Sequence, residues 1–490
     1  MKISTCLCSL GCALLSLILA PTAAWSADRE FRAGAFAQPI SPTKFPAPVN
    51  GNMKGAFATS IHDPMHARCL ALHDGKTEIV FCIVDACAIP RDVCDRTREL
   101  ASQQTGIPAD NILISATHTH SAAALTPLFQ SAPDPDFVDA LPERLAAGIA
   151  RAHAQLEPAE IGWGQGSDPS QVFNRRWLVK PGEAYENPFG GKTDRARMNP
   201  GYQNPTVSRS FGRVDPAVAV LAVRSAADKR PLALFANYSL HYVGGWPAIS
   251  ADYFAAFAAE IGQRLHADDG RYANKPAFVG AMSNGTSGDI NNVNFGGPPP
   301  GPRQPGEQIQ VVARSVAEAA LQAYGKIQFK SHVPLDVLAG ELELEVRKPS
   351  ADELQQARDL LEKTPKDSDG QYGSMPAIYA RETVLLEAYP ERVSVKLQVL
   401  RIGDLSVAAI PSEVFVDVGL DLKKRTPFAQ HFTISLANGY NGYLPTAEHH
   451  QYGGYETWRA RSSYLEVDAA AKITLRLIEL LNALEKRKPQ

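Results

Sequence analysis

Short apolar runs alternate along this chain with longer segments of helical periodicity. The apolar runs are rich in β-branched residues and predict buried strands, whereas apolar positions recurring with a helical period predict amphipathic helices. Strands are expected at 68–72, 78–84, 111–114, 218–223, 232–237, 277–282, 333–347, 393–402, 406–410 and 433–436, and helices at 90–102, 137–155, 253–266, 310–325, 350–362, 414–424 and 467–486. The alternation predicts an α/β fold with mixed β-sheets flanked by helices, built as one domain over residues 27–490.

A β-α-β unit over residues 78–114 places two histidines at the end of a strand. Its second strand runs into a Ser-Ala-Thr-His-Thr-His-Ser stretch that carries His118 and His120. Side chains two positions apart on a strand point the same way, so both imidazoles are expected to face one pocket. Asp85, after the preceding strand, is a candidate hydrogen-bond partner for an imidazole, or else a capping or turn aspartate. The histidine pair suits a metal or acid/base site and equally two hydrogen-bonded structural histidines.

Other strand ends carry further candidate ligands. His241 follows a buried strand and precedes glycines, Glu413 lies at a strand-to-helix junction, and Tyr443 lies in a stretch rich in tyrosine and glycine. Two histidines and a carboxylate with an open position form a typical hydrolytic zinc site. Tyrosine is a rarer ligand, but the charge of a metal can drive loss of its proton. A buried structural histidine and a carboxylate that favours a helix N-terminus are the alternatives for His241 and Glu413.

Two polar segments are candidates for substrate binding. Small and polar residues fill 283–292, where backbone N–H groups and the amide of Asn291 can face an oxyanion. The segment 166–209 is predicted to be a long loop because glycine, proline and asparagine are frequent in it. It contains paired arginines beginning at Arg175. They suit recognition of an anion or a carbonyl, or form a solvated pair packed on Trp177.

Composition limits the classes of function. The chain has 490 residues, 21% charged, with a formal net charge of −3, which gives no reason to expect a nucleic-acid partner. Residues 1–26 have the charged, apolar and small-residue regions of a secretory signal peptide, and no later segment is apolar for long enough to span a bilayer. The mature protein is therefore expected to be secreted or periplasmic. Its four cysteines, Cys69, Cys82, Cys87 and Cys94, suit either two disulfides or buried thiols.

Taken in chain order, these motifs resemble the neutral/alkaline non-lysosomal ceramidase family. The stretch 114–121 resembles the family's SxTHTHS signature, 410–413 resembles its PGE glutamate, and 440–446 followed by 455–456 resembles its YxxYxxT…YE stretch. The resemblance implies a ceramidase-like catalytic domain and a zinc ion. The zinc ligands that it implies are His118, His241, Glu413 and Tyr443. It also implies that His120 and Arg175 act on the substrate side, with Tyr455 near the scissile carbonyl.

The sequence departs from this family pattern in two places. The family's GDVSPN stretch appears as GDINNV at 288–293, so Asn291 stands where the family has serine. The chain continues for only about 35 residues past Tyr455. We therefore expect it to lack the C-terminal immunoglobulin-like domain.

The expected function is an exported zinc-dependent hydrolase that cleaves an amide (N-acyl) bond in a small-molecule or lipid-like substrate. A zinc-activated water would attack the carbonyl. His120 and Tyr455, with Arg175 or Asn291, would stabilise the oxyanion and pass a proton to the leaving group. Hydrolysis of an ester, a lactone or a carbohydrate-linked bond, and non-catalytic ligand binding, are the alternatives. A serine hydrolase is not expected, because no G-x-S-x-G motif is present.

Overall fold

The computed structural model describes residues 30–183, 185–244 and 246–487, so the predicted signal peptide at 1–26 lies outside the described residues. The strands are β1 (Arg32–Pro39), β2 (Ala47–Val49), β3 (Ala56–Ala58), β4 (His66–His73), β5 (Glu78–Val84), β6 (Ile112–Ala116), β7 (Glu157–Ser167), β8 (Phe173–Asn174), β9 (Arg176–Val179), β10 (Ala196–Met198), β11 (Val207–Ser210), β12 (Ala217–Ser225), β13 (Pro231–Tyr238), β14 (Val279–Asn284), β15 (Ile290–Asn291), β16 (Leu335–Glu345), β17 (Arg392–Ile402), β18 (Leu405–Ala409), β19 (Glu413–Val414), β20 (Gln430–Ile434) and β21 (Tyr443–Leu444). The helices are α1 (Arg91–Thr105), α2 (Pro135–Asp139), α3 (Leu141–Ala154), α4 (Asp252–Arg264), α5 (Glu307–Tyr324), α6 (Ala351–Lys363), α7 (Met375–Leu386), α8 (Val416–Arg425), α9 (Ala447–Tyr452) and α10 (Ala469–Lys486). Within the described ranges, none of these helices is both long and apolar enough to cross a membrane.

An eight-stranded sheet forms the larger of two stacked layers. Its strand order is β14-β13-β12-β7-β1-β4-β5-β6, and the pairing is antiparallel except at β13–β14 and β5–β6. Each parallel pair is joined through a helix, α4 or α1, because parallel neighbours need a crossover connection. The β-α-β unit predicted over residues 78–114 is therefore confirmed.

A four-stranded sheet with the order β16-β17-β18-β20 stacks on the first. Strand β17 alternates between its two faces. Leu400 and Ile402 lie in the core between the sheets, whereas Leu397 and Val399 pack with α8 and α10. Helices α1 and α3, and then α4 and α5, cover the outer face of the larger sheet. The resulting helix–sheet–sheet–helix layers confirm the predicted α/β class with mixed sheets flanked by helices.

Strands β1 and β7 and helix α7 have no predicted counterpart, and two predicted segments differ in form. The single helix expected over 137–155 is divided into α2 and α3, because Pro142 in the first turn of α3 has no amide hydrogen with which to continue α2. The segment 166–209, predicted to be a long loop, is interrupted by short strands. It forms the three-stranded sheet β10-β9-β11, and its strand β8 pairs with β15. These strands have only two to four residues each, which is too few for an alternating pattern to be visible in the sequence.

The candidate site lies at the edge where the strands of both sheets end. Ser115 forms a backbone bridge with Ala437, and the Ser435 amide donates to the carbonyl of Asn284 at 3.0 Å. These contacts join the carboxyl ends of β6, β14 and β20. Of the residues predicted to bind metal, His118 follows β6 and His241 follows β13, whereas Glu413 and Tyr443 begin the short strands β19 and β21.

Candidate metal centre

The buried side chains of His118, His241 and Glu413 converge on one point. The His118 Nε2 atom lies 3.1 Å from Nε2 of His241 and 3.2 Å from Oε2 of Glu413. The separation between His241 Nε2 and Glu413 Oε2 is 4.0 Å. All three ligand atoms are thus close enough to share a single metal ion.

The position of His118 depends on an unusual backbone conformation. His118 follows the end of β6 and has a φ of 75°, which is rare for a residue other than glycine. The chain therefore turns at this residue, and the Nε2 atoms of His118 and His120 approach to 3.2 Å. The two imidazole rings are therefore neighbours, as expected. They are neighbours because of this turn, however, and not because both lie on a strand.

The group that hydrogen bonds to His118 is not Asp85, the residue expected from the sequence. Asp85 accepts from Nη1 of Arg68 at 2.5 Å and from the amide of His66 at 2.8 Å, so the predicted contact with an imidazole is wrong. A buried guanidinium is a stronger partner for a buried carboxylate than a neutral ring. The carbonyl oxygen of Cys87 takes that place, 2.7 Å from Nδ1 of His118.

The donor set fits a zinc ion. A carbonyl oxygen only accepts hydrogen bonds, so the contacts of His118 Nδ1 with Cys87 and of His241 Nδ1 with Ser287, at 3.2 Å, place the proton on Nδ1 of each ring. The Nε2 atom of each ring then faces the cluster, where a neutral ring offers its lone pair. The Oε2 atom of Glu413 is buried with no hydrogen-bond donor among the described residues. Two imidazole nitrogens and one unpaired carboxylate oxygen are the ligands that zinc prefers.

The charges around these ligands also favour a cation. Burial alone lowers the pKa of His118, but the Glu413 carboxylate raises it to about 10. Burial raises the pKa of Glu413, and contact with His118 more than offsets this and lowers it below its usual value. Burial and the charge of Arg175 hold the pKa of His241 well below its usual range. A divalent cation bound by these atoms would take the place of the second proton on His118 and supply the positive charge that Glu413 favours.

Tyr443 lies beside Glu413 because the two residues are directly paired between β19 and β21. Its hydroxyl accepts from Nη2 of Arg175 at 3.2 Å. Burial and the Glu413 carboxylate raise the pKa of Tyr443 well above 10, while Arg175 opposes them. The side chain of Arg175 also donates to the carbonyl of Gly288 at 2.7 Å, so its position beside the candidate ligands is fixed.

A short loop carrying Tyr455 forms another wall of the site. The Tyr455 ring centroid lies 5.7 Å from that of Tyr443. Buried Arg176 donates to the carbonyl of Gly453 at 2.6 Å, and Asp194 accepts from the amide of Gly454 at 2.7 Å. Arg176 is therefore a buried structural residue that holds this loop, whereas its neighbour Arg175 reaches the candidate ligands.

Asn291 lies in β15, which pairs with β8 just before Arg175. Its Nδ2 donates to Oδ1 of Asn199 at 2.9 Å, and its Oδ1 accepts from the amide of Val293 at 3.0 Å. Both ends of this amide are thus occupied by the protein itself. The oxyanion role of Asn291 stays a prediction.

Three residues near the site have no predicted role from the sequence. Tyr440 donates to Oε1 of Glu413 at 2.9 Å, and the Tyr242 ring stacks on His120 with centroids 3.6 Å apart. Gly51 approaches so closely that a Cβ atom built on it would lie 2.4 Å from the His120 ring. The repeated tyrosines at 440 and 443 are the one visible signal, since no sequence pattern marks Gly51 or Tyr242.

The layered fold and this buried set of histidine, glutamate and tyrosine side chains define an α/β protein with a candidate metal centre. Residues 52–303 match the family model described as neutral/alkaline non-lysosomal ceramidase, N-terminal, and the chain belongs to this family.

Two solved structures have a similar fold. Neutral ceramidase from Pseudomonas aeruginosa is 17% identical, with a TM-score of 0.69, and the match covers 94% of this chain and 76% of that one. A structure described as ceramidase complexed with C2 is 16% identical, with a TM-score of 0.70 and the same coverage of both chains. Among curated proteins, no relative matches.

Proposed function

We propose that this chain is an exported, zinc-dependent hydrolase that cleaves an amide (N-acyl) bond. The observation that carries the proposal is the buried convergence of two Nε2 lone pairs with the unpaired Oε2 atom of Glu413. Such a cluster is costly to bury unless a cation compensates it. Membership of the ceramidase family supports hydrolysis of an amide in a lipid-like substrate, and the two similar structures are both named as ceramidases. The signal-like sequence at 1–26 supports export.

The proposed zinc ligands are His118, His241, Glu413 and Tyr443. A zinc ion held there supplies Lewis acidity, which lowers the pKa of water towards neutrality. Arg175 stabilises negative charge beside Tyr443, where its guanidinium already lies 3.2 Å from the hydroxyl. This contact lowers the cost of removing the tyrosine proton in a buried site.

His120 is the proposed proton carrier. Burial and the charge of His118 lower the pKa of His120 well below its usual value, which favours the neutral ring and eases release of a proton to the leaving amine. Its Nε2 atom faces the ligand cluster, and the stacked ring of Tyr242 limits rotation of the imidazole. His120 therefore takes a proton from the attacking water at Nε2 and delivers it to the leaving amine.

Arg175 and Tyr455 are the proposed donors to the carbonyl oxygen. Donors fixed before the reaction stabilise developing charge without reorganisation. Arg175 is fixed by its bond to the carbonyl of Gly288, and the Tyr455 loop is held by Arg176 and Asp194. Burial and the nearby Glu413 carboxylate raise the pKa of Tyr455 above its usual value, so this phenol keeps the proton it needs as a donor.

The test is zinc content together with hydrolysis, measured on the purified chain and on two histidine variants. His118→Ala removes a proposed ligand. His431→Ala is the matched control, because His431 is equally buried but hydrogen bonds to Ser406 and Thr433 in the smaller sheet. We expect about one zinc per chain, lost only in His118→Ala, because both candidate metal groups among the described residues include His118.

Hydrolysis is assayed on N-acyl amides, including N-acylated long-chain amino alcohols, beside esters with the same acyl groups. Amide cleavage that depends on His118 supports the proposal. Cleavage of the esters alone contradicts the proposed amide specificity. Full zinc content and full activity in His118→Ala would contradict the site itself.

A further inference from the structure

The phenol of Tyr440 makes the two oxygens of the Glu413 carboxylate unequal. Its hydroxyl donates to Oε1 at 2.9 Å. The other oxygen, Oε2, has no donor within the described parts of the chain and lies 3.2 Å from Nε2 of His118. One carboxylate oxygen is therefore held by the protein, and the other faces the imidazole nitrogens.

The loop that delivers Tyr440 is unusual in its backbone. Leu436, Asn438, Gly439 and Gly442 all have positive φ values, of 54°, 67°, 147° and 74°. Non-glycine residues persist in this conformation only where their surroundings hold them, and Asn438 is held by side-chain bonds to Gln398 and to the amide of Ile114. The turn thus has a fixed shape that places a phenol against Glu413.

The two tyrosines of this segment approach Glu413 in different ways. Tyr443 is its partner in the β19–β21 ladder, and its hydroxyl contacts Arg175. Tyr440 contacts Oε1 directly and has no side-chain bond to Arg175 among the described contacts. A metal ion near Glu413 could therefore bind Oε2, the carboxylate oxygen that does not contact Tyr440.

We propose that Tyr440 is a positioning residue that holds Glu413 as a metal ligand through Oε2 alone. This inference rests on the zinc site of the proposed function and adds a residue outside the ligand set. A hydrogen bond to Oε1 restricts rotation of the carboxylate before the metal binds. Metal binding then costs less conformational entropy. Such outer partners typically contribute about 10–100-fold to metal affinity.

The test compares zinc dissociation constants by chelator competition at fixed pH and ionic strength. Tyr440→Phe removes only the hydroxyl and is expected to weaken zinc binding by about 10–100-fold. Tyr464→Phe is the matched control, because Tyr464 is a buried phenol whose hydroxyl donates to Asn441 and touches no proposed ligand. Zinc binding should be unchanged in this control.

A double-mutant cycle distinguishes positioning from general support of the fold. In a Glu413→Ala background, Tyr440→Phe should cause no further loss of zinc affinity, because its target is gone. Equal losses in both backgrounds would overturn the inference. So would a Tyr440→Phe variant that binds zinc as tightly as the unmodified chain.

An infrared difference spectrum of the unmodified chain tests the same point without relying on the folding of a variant. A wide separation of the carboxylate stretches on zinc addition, lost in Glu413→Gln, is expected for binding through one oxygen. A narrow separation, typical of two-oxygen binding, would overturn the inference.

If the unmodified chain binds no zinc, the proposed function fails together with this inference. If zinc binds but Tyr440→Phe has no effect, only the inference fails.

Discussion

Substitution of Glu456 by glutamine should separate the stability of this fold from the chemistry of its site. Glu456 is completely buried and accepts from two arginines, from Nε of Arg175 at 3.2 Å and from Nη1 of Arg176 at 2.7 Å. The glutamine keeps the shape but removes the negative charge. Its NH₂ group would also point a donor at one of the two guanidinium groups.

The expected loss of stability follows from burial. Removing one partner of a buried ion pair typically costs about 3–5 kcal/mol, because a charge is left uncompensated. The unfolding entropy of a chain this long is roughly 1 kcal/mol/K, so we expect the melting temperature to fall by about 3–5 °C if unfolding is a single step. Arg175 would also lose a bond that fixes it beside Tyr443. A catalytic group displaced in this way typically loses about 10²-fold in rate.

The assay combines thermal unfolding with hydrolysis per folded molecule. Glu382→Gln is the matched control, because Glu382 is also buried and also pairs with an arginine, Arg461, but contacts none of the proposed ligands. Both variants should lose comparable stability, while only Glu456→Gln should lose activity.

Two results would refute the reasoning. Unfolding of Glu456→Gln at the temperature of the unmodified chain would mean that the two arginines do not need this carboxylate. Equal activity of the two glutamine variants, each corrected for its folded fraction, would mean that Glu456 does not position Arg175.

Three further predictions concern other features. Glu413 raises the pKa of His118 to about 10, so below that pH zinc must displace a proton and its affinity should fall by up to about tenfold per pH unit on acidification; a pH-independent dissociation constant would contradict this. Gly51 has a φ of 110°, and Gly51→Ala places a Cβ atom 2.4 Å from the His120 ring, so activity should fall while zinc content is retained. Full activity of this variant would show that the position of the ring is unimportant. The thiols of Cys69 and Cys82 face each other at 3.7 Å on paired strands, so an oxidising preparation should contain their disulfide, detected by intact mass, and an unchanged mass would contradict this.

The sequence was sufficient for the parts of the fold that depend on local patterns. The strands expected at 68–72 and 78–84, and those expected at 393–402 and 406–410, pair as hairpins, and the helix expected at 350–362 begins with a capping box of Ser350 and Glu353. In each case residues close together in the sequence make the contacts that define the element. Paired strands carrying Cys69 and Cys82 agree with the buried-thiol interpretation, since all four described cysteines are free thiols in the structure.

The sequence was insufficient where long-range contacts decide the structure. Short strands such as β8 and β9 have no periodicity to detect, and they form because β15, β10 and β11 pair with them. Asp85 was expected to contact an imidazole, but it forms an ion pair with Arg68 on the neighbouring strand instead. A carboxylate selects its partner from the completed sheet, and chain order does not reveal which cation will be nearest.

The arrangement around Glu413 has the same cause. Tyr440 and Tyr443 are three residues apart and chemically identical, so composition and spacing give no reason to assign them different contacts. Pairing of β21 with β19 places Tyr443 beside Glu413, and the left-handed turn before it sends the Tyr440 hydroxyl to Oε1. The division of roles between two tyrosines therefore arises from backbone geometry. A substitution that only removes a hydroxyl can test each role separately, because the backbone that sets both positions is left in place.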